Sequence, residues 1–201
     1  MRSFRFASLL LAFLFGASLA TAGEDLATRG ARLAKERCAK CHGIDGFGKD
    51  PEYPSLAGQH EEYIVKQIFS FKTGQRINEE MAPMIDQLLA ADVRAVSHHF
   101  ASLKPNRIPN TDAALLDEGK TAYFQGSAKG GGSSCVACHG QEGKGGAQMP
   151  RLAGQNPVYL EKQLRGFIQK TRQNDNQMHQ SLSGMSDREM RAVSVYLANE
   201  K

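Results

Sequence analysis

Two stretches of this sequence bring together residue types that could hold a metal cofactor covalently. Cys38-Ala39-Lys40-Cys41-His42-Gly43 recurs as Cys135-Val136-Ala137-Cys138-His139-Gly140, 97 positions later, and these motifs contain all four cysteines of the chain. Two cysteines three apart at a helix end can reach the two vinyl groups on one edge of a porphyrin. The adjacent histidine then stands over the ring and ligates iron from the proximal side, which is why Cys-x-x-Cys-His marks c-type haem attachment. A thioredoxin-like redox pair needs a preceding strand and a βαβ setting, and neither is visible. A zinc site made from the four cysteines must join both halves and leaves the histidines and the repeat unexplained. Disulfides within each motif fit poorly for the same reason. On the haem reading Cys38, Cys41, Cys135 and Cys138 become thioethers, and two covalent haem c groups are the cofactors.

The sixth iron ligand calls for a second repeated donor. Methionine opposite histidine is common in electron carriers and raises the reduction potential. Met81 and Met178 occupy matching points, each in a loop after an Arg/Asn-rich turn (Arg76 and Asn78; Arg172 and Asn174). Met84 and Met185 compete with them and, like Met190, otherwise read as core fillers. His60, His98, His99 and His179 do not recur between the halves and read as surface or helix-face residues. A proximal histidine usually donates its free N–H to a carbonyl. Pro54 and Pro150, 12 and 11 residues after their histidines, stand where a returning loop offers one. Arg76 and Arg172 read either as partners of haem propionates or as solvated loop arginines.

The elements that position these groups are duplicated as well. Pro54-Ser55-Leu56-Ala57-Gly58-Gln59 recurs as Pro150-Arg151-Leu152-Ala153-Gly154-Gln155, and Tyr63, Lys66, Gln67 and Phe71 as Tyr159, Lys162, Gln163 and Phe167. A long period met only twice means two homologous domains, not a solenoid. Each half reads as helical: a helix from about Asp25 to Arg37 enters the first motif. Tyr63, Ile64, Gln67, Ile68 and Phe71 share one helical face that stops near Gly74. Closing helices cover Asp92–Leu103 and Asp187–Asn199. Gly/Pro-rich loops fill the gaps, and no alternating strand pattern appears. The second half carries an extra Gly126–Ser134 insert, expected to be a flexible surface loop. The expected boundaries are domain 1 at 23–104, an extended Pro-containing linker at 105–112 and domain 2 at 113–201. Halves of this size are thinly cored by side chains alone, so a bulky group is expected inside each.

Residues 1–22 read as a Sec-type signal peptide to be cleaved: Arg2 and Arg5, a short apolar run Ala7–Ala20, then Ala20-Thr21-Ala22. The run is shorter than the about 20 residues a spanning helix needs, so the expected destination is the periplasm. With 201 residues, 23% of them charged, and a mean hydropathy of −0.42, wholesale disorder and a multi-span membrane protein are excluded. The net charge of +4 includes two arginines of the leader. Positions 23–104 carry 11 basic and 12 acidic residues, and 105–201 carry 12 and 9. The basic pI of 8.9 is therefore no sign of nucleic-acid binding.

The paired C-x-x-C-H-G motifs, the P-x-L-A-G-Q-x-x-x-Y segments and the methionine stretch before each final helix resemble the dihaem cytochrome c4 family across Gly23–Lys201. That resemblance implies an all-α tandem of two class I cytochrome c domains, each a few helices wrapped around one covalent haem, with the haems facing each other. It implies haem attachment at Cys38, Cys41, Cys135 and Cys138, iron ligation by His42, Met81, His139 and Met178, and a non-enzymatic electron carrier working by outer-sphere transfer. The implied partners are redox proteins such as a cytochrome bc1-type complex and a haem-copper oxidase, with membrane-surface association an open option and no small-molecule substrate. The competing readings are a cytochrome subunit of a larger dehydrogenase, such as a sulfide-oxidising flavocytochrome, and a dihaem peroxidase. The chain departs from the family pattern at Leu88–Asp92, which lacks the Ser-Asp helix start of Ser186-Asp187, at His98-His99, and at the Gly/Ser insert.

Overall fold

The computed structural model describes residues 24–109 and 112–201. The expected signal peptide and positions 110–111 of the expected linker lie outside the described residues. Helices α1 (Leu26–Leu33), α2 (Ala39–His42), α3 (Glu61–Lys72), α4 (Met81–Ile85) and α5 (Ala90–Ser102) form the first half. The second half consists of α6 (Ala113–Gln125), α7 (Val136–His139), α8 (Pro157–Ile168), α9 (Asn176–Ser181) and α10 (Asp187–Asn199). No strand occurs among the described residues; only isolated bridges join Arg76 to Arg172 and Gly146 to Met149.

Each half is built on a close crossing of its first and last helices. A Cβ on Gly30 of α1 would lie 2.1 Å from the Ala95 carbonyl oxygen of α5. The same atom on Gly119 of α6 would lie 2.1 Å from the carbonyl oxygen of Ala192 in α10. Only a residue without a side chain lets the two backbones approach this far. Around the crossings pack Ile64, Ile68, Val93, Val96 and Phe100 in one half and Tyr123, Leu160, Val193, Tyr196 and Leu197 in the other. A further cluster of Phe167, Leu182, Met185 and Met190 completes the second half.

The closing helices start differently but to the same end. Ser186 and Glu189 form a reciprocal capping box at α10: the Glu189 carboxylate accepts from the Ser186 N–H at 2.7 Å, and the Ser186 hydroxyl accepts from the Glu189 N–H at 3.3 Å. At α5 no hydroxyl is present, yet the buried Asp92 accepts from the Leu89 N–H at 2.9 Å and from the Arg29 guanidinium at 2.7 Å. Asp92 thus takes the part of Glu189, braced by an ion pair from α1 where Glu189 is braced by the Ser186 hydroxyl.

The halves differ most between the first helix and the cysteine motif. α1 runs through a π-helical turn, Ala34–Cys38, directly into Cys38, whereas α6 stops at Gly126 (φ +82°). The Gly126–Ser134 insert is pinned down rather than free. The Ser127 hydroxyl donates to the Gly184 carbonyl at 2.8 Å, and the Ala128 N–H donates to Glu189 at 2.7 Å. A Cβ on Gly132 would meet the Ser181 carbonyl oxygen at 2.1 Å. Glycine composition marks freedom of φ and says nothing of what the backbone rests against. The described part of the linker is also held: the Ile108 N–H donates to the Ala198 carbonyl at 2.8 Å and the Arg107 guanidinium to the Asn199 carbonyl at 2.5 Å.

Candidate haem sites and the interface between them

α2 and α7 are single helical turns closed by glycines with positive φ, Gly43 and Gly140, both at +77°. These turns place Cys38, Cys41 and His42, and Cys135, Cys138 and His139, on the walls of one cavity running between the halves. None of the four thiols forms a disulfide. Burial pushes the Cys38 and Cys135 thiols up to about 11, so in the absence of bond formation they stay neutral.

His42 and His139 are 6% and 5% exposed. His42 Nδ1 lies 3.1 Å from the Pro54 carbonyl oxygen and His139 Nδ1 3.2 Å from that of Pro150. With the Nδ1 proton committed there, Nε2 is left as the lone-pair nitrogen. Burial lowers both rings from the ordinary imidazole value, against a smaller opposing contribution from the proline carbonyls. Burial thus favours the neutral ring, and the proline carbonyl fixes the tautomer, that a metal ligand needs.

Met81 and Met178 line the same cavity. They sit in the short helices α4 and α9, not in loops. Asp175, the N-cap of α9, accepts the Met178 N–H through Oδ1 at 3.2 Å, and ahead of α4 Asn78 Oδ1 accepts the Met81 N–H at 2.8 Å. Met185 occupies the place of Leu88 seven residues on, and both are buried in their cores. Met84 is not a core filler, being 50% exposed. His60, His98 and His179 are all engaged elsewhere, with the Lys144 carbonyl, Glu61 and the Phe167 carbonyl respectively. His60 is more than a surface residue, since its bond crosses to the second half.

The two loop arginines are neither solvated nor idle. Arg76 donates to Gln67, Gln163 and the Tyr159 hydroxyl at 2.7–2.9 Å. Arg172 donates to Gln163, Gln67 and the Tyr63 hydroxyl at 2.9–3.2 Å. Each guanidinium also lies over a phenylalanine of its own half, Phe71 at 4.6 Å and Phe167 at 4.4 Å. The result is a nearly two-fold polar network across the domain boundary. A second crossing is made by Gln59 and Gln155, whose side chains bind the backbone of Arg151 and Ser55 in the opposite half. The repeat pattern signals both sets, but its pairing across the boundary is invisible in one dimension.

The residues fit two porphyrins. The cavity is partly open to solvent, and its walls are mostly apolar, with core side chains such as Ile68, Leu88, Phe167 and Leu182. Arg151 lines it with a buried Nε that has no hydrogen-bond partner among the described residues, as expected of a cation facing an anionic group such as a haem propionate. Position 151 was not legible as a site residue, because its repeat counterpart is Ser55.

Paired helical domains, each setting a Cys-x-x-Cys-His turn and a methionine around a shared cleft, define a two-domain c-type cytochrome. The model for the family described as cytochrome c matches residues 27–104 and 116–201. Cytochrome c4 of Thiocapsa roseopersicina is 38% identical over 165 residues, covering 80% of this chain and 85% of the relative. A protein of Stutzerimonas stutzeri (strain A1501) named thiosulfate dehydrogenase electron acceptor is 37% identical over 187 residues, covering 88% and 85%. The crystal structure of reduced recombinant cytochrome c4 from Pseudomonas stutzeri matches with a TM-score of 0.82 at 31% identity, covering 87% of this chain and 98% of that one. The chain belongs to the cytochrome c4 family, an all-α tandem of cytochrome c domains, and is a dihaem electron-transfer cytochrome with two covalently bound haem c groups.

Proposed function

We propose that this protein shuttles single electrons in the periplasm between respiratory-chain donors and a terminal oxidase or reductase. In this reading Cys38, Cys41, Cys135 and Cys138 form the thioethers, His42 and His139 are the proximal ligands, and Met81 and Met178 the distal ones. Domain 1 spans 23–104 and domain 2 spans 113–201. The observation that carries it is the matched pair of buried histidines, each with Nδ1 held by a proline carbonyl, on the cavity that Met81 and Met178 also line.

Haem iron with these ligands supplies a reversible one-electron couple. The chain's own residues do the rest. Pro54 and Pro150 fix the histidine tautomers. Apolar walls exclude water and restrain reorganisation. The Arg76–Arg172 network sets the domains against each other so that the two sites face one cleft. Redox partners such as a cytochrome bc1-type complex and a haem-copper oxidase would dock at small, salt-sensitive interfaces. Among the described residues no helix is long and apolar enough to cross a membrane.

A second reading is supported by the relative named as an electron acceptor of thiosulfate dehydrogenase: this chain takes electrons from a dehydrogenase of sulfur compounds, as a subunit or dedicated acceptor. A reduced-minus-oxidised spectrum with a pyridine haemochrome count and the near-infrared methionine-to-iron band tests the ligand assignment. Two haems with the band support it; a missing band removes the methionines. Stopped-flow reduction by a bc1-type complex and by a thiosulfate-oxidising dehydrogenase then separates the two readings by rate.

A further inference from the structure

The peptide unit that holds each proximal histidine is gripped at its other end by the opposite domain. In the first half, the Pro54 carbonyl lies 3.1 Å from His42 Nδ1. The N–H of that same peptide, on Ser55, donates to Gln155 Oε1 at 2.7 Å, and Gln155 Nε2 donates back to the Ser55 carbonyl at 2.8 Å. In the second half, the Pro150 carbonyl lies 3.2 Å from His139 Nδ1. Its peptide N–H, on Arg151, donates to Gln59 Oε1 at 2.8 Å, and Gln59 Nε2 donates to the Arg151 carbonyl at 2.9 Å. Both glutamines are 6% exposed. The donor and acceptor of one residue's backbone fix the orientation of each amide.

We propose that Gln155 and Gln59 are crossed positioning residues, each setting the electron richness of the other domain's axial histidine through one shared peptide group. This rests on the reading of His42 and His139 as iron ligands. The peptide is a resonance-coupled unit, and hydrogen bonds in a chain polarise one another. An acceptor on the Ser55 N–H draws its proton outward and builds negative charge on the Pro54 oxygen. That oxygen then accepts more strongly from His42 Nδ1–H, and the ring becomes a stronger donor at Nε2. A more electron-rich ligand favours the oxidised iron, so the grip holds the potential down. The arrangement makes each haem's potential report whether the domains are seated.

The test uses the full holoprotein. Gln155→Met keeps side-chain volume and removes both cross-domain amide contacts together with the acceptor of its own Asn156 N–H; Gln59→Met is its mirror, with His60 in the place of Asn156. Midpoint potentials of the two haems are followed separately by their hyperfine-shifted methyl resonances, together with the Nδ1 proton of each axial histidine. Gln155→Met is expected to raise the potential of the haem in the first domain and move the His42 Nδ1 resonance, leaving the second haem unchanged. Gln59→Met should do the reverse. Equal shifts of both haems, a shift confined to the mutated domain's own haem, or no shift overturns the proposal. Should either variant fail to assemble, Gln155→Glu and Gln59→Glu retain an oxygen facing the peptide N–H. They are expected to hold the opposite haem at or below the parent potential, and a rise overturns the proposal. A parent protein without histidine–iron ligation in its spectrum would sink the ligand reading itself. Intact ligation with uncrossed shifts sinks only this inference.

Discussion

The Arg172 guanidinium lies 3.0 Å from the Tyr63 hydroxyl across the domain boundary, while Arg76 lies 2.9 Å from Tyr159 in the reverse sense. Arg172 is 8% exposed and Arg76 is half-buried. Without Arg172 the Tyr63 hydroxyl loses its partner, while Gln67 and Gln163 still accept from Arg76; a buried polar group left unpaired costs about 1–3 kcal/mol. Arg172→Leu is therefore expected to lower stability by about 1–3 kcal/mol. Arg76→Leu should cost less, because water can reach part of its network. Guanidinium unfolding of both variants checks the order, and equal losses would contradict it.

Gly30→Ala and Gly119→Ala would each push a methyl to 2.1 Å from a backbone oxygen of the partner helix. Backbone cannot rotate away, so the helices must separate, at a cost of about 3 kcal/mol or more by the scale of overpacked cores. Gly146→Ala meets nothing within 4 Å and needs no positive φ. It should leave the melting temperature nearly unchanged, and calorimetry of the three variants gives the comparison.

Much of this architecture was legible in the sequence. The repeat, the helical faces and the cysteine motifs follow from spacing alone, and the Pro54 and Pro150 carbonyls stand where the loop lengths placed them. Besides Arg151 and the held Gly126–Ser134 insert, three further features were not legible. The helices carrying Met81 and Met178 are too short for periodicity to show, and each methionine N–H is held by a single side chain, Asn78 or Asp175. The roles of Arg76 and Arg172 depend on partners about a hundred residues away. Asp92 does at α5 what Glu189 does at α10, but its brace is Arg29 of α1, 63 residues away, and not a neighbouring serine.

Methionine chemistry distinguishes residues of similar burial. Met178→Leu is expected to abolish the near-infrared band of the second haem and to move its potential. Met185→Leu, in a core position that Leu88 fills in the other half, should keep the band and cost less than about 1.5 kcal/mol. Loss of the band in Met185→Leu alone would exchange the two assignments.

Acid should weaken both closing helices. For Asp92 burial pushes the carboxyl up, but the Leu89 N–H and the Arg29 guanidinium together outweigh it and the net is lowered. For Glu189 burial is likewise outweighed, by the Ser186 hydroxyl and the Ala128 and Ser186 N–H groups. A carboxyl held below its unfolded value contributes stability above about pH 4, and that contribution is lost as pH falls through the folded value. Unfolding free energy should therefore fall below about pH 4. Asp92→Asn and Glu189→Gln should flatten that slope, as urea titrations at several pH values would show.

The like-with-like pairing of the two halves has a bearing on origin. Gln59 binds the backbone of Arg151, and Gln155 binds that of Ser55, the counterpart of Arg151; Tyr63 and Gln67 meet Arg172 as Tyr159 and Gln163 meet Arg76. Such a surface is isologous: two copies of one ancestral domain could have used it as a homodimer before any fusion. Joining the copies through Pro105–Asp112 turned a concentration-dependent encounter into an intramolecular one, at an effective concentration on the order of millimolar. Once tethered, the halves no longer had to remain identical, and Ser55 in one could diverge from Arg151 in the other while the backbone contacts they share with glutamine stayed the same.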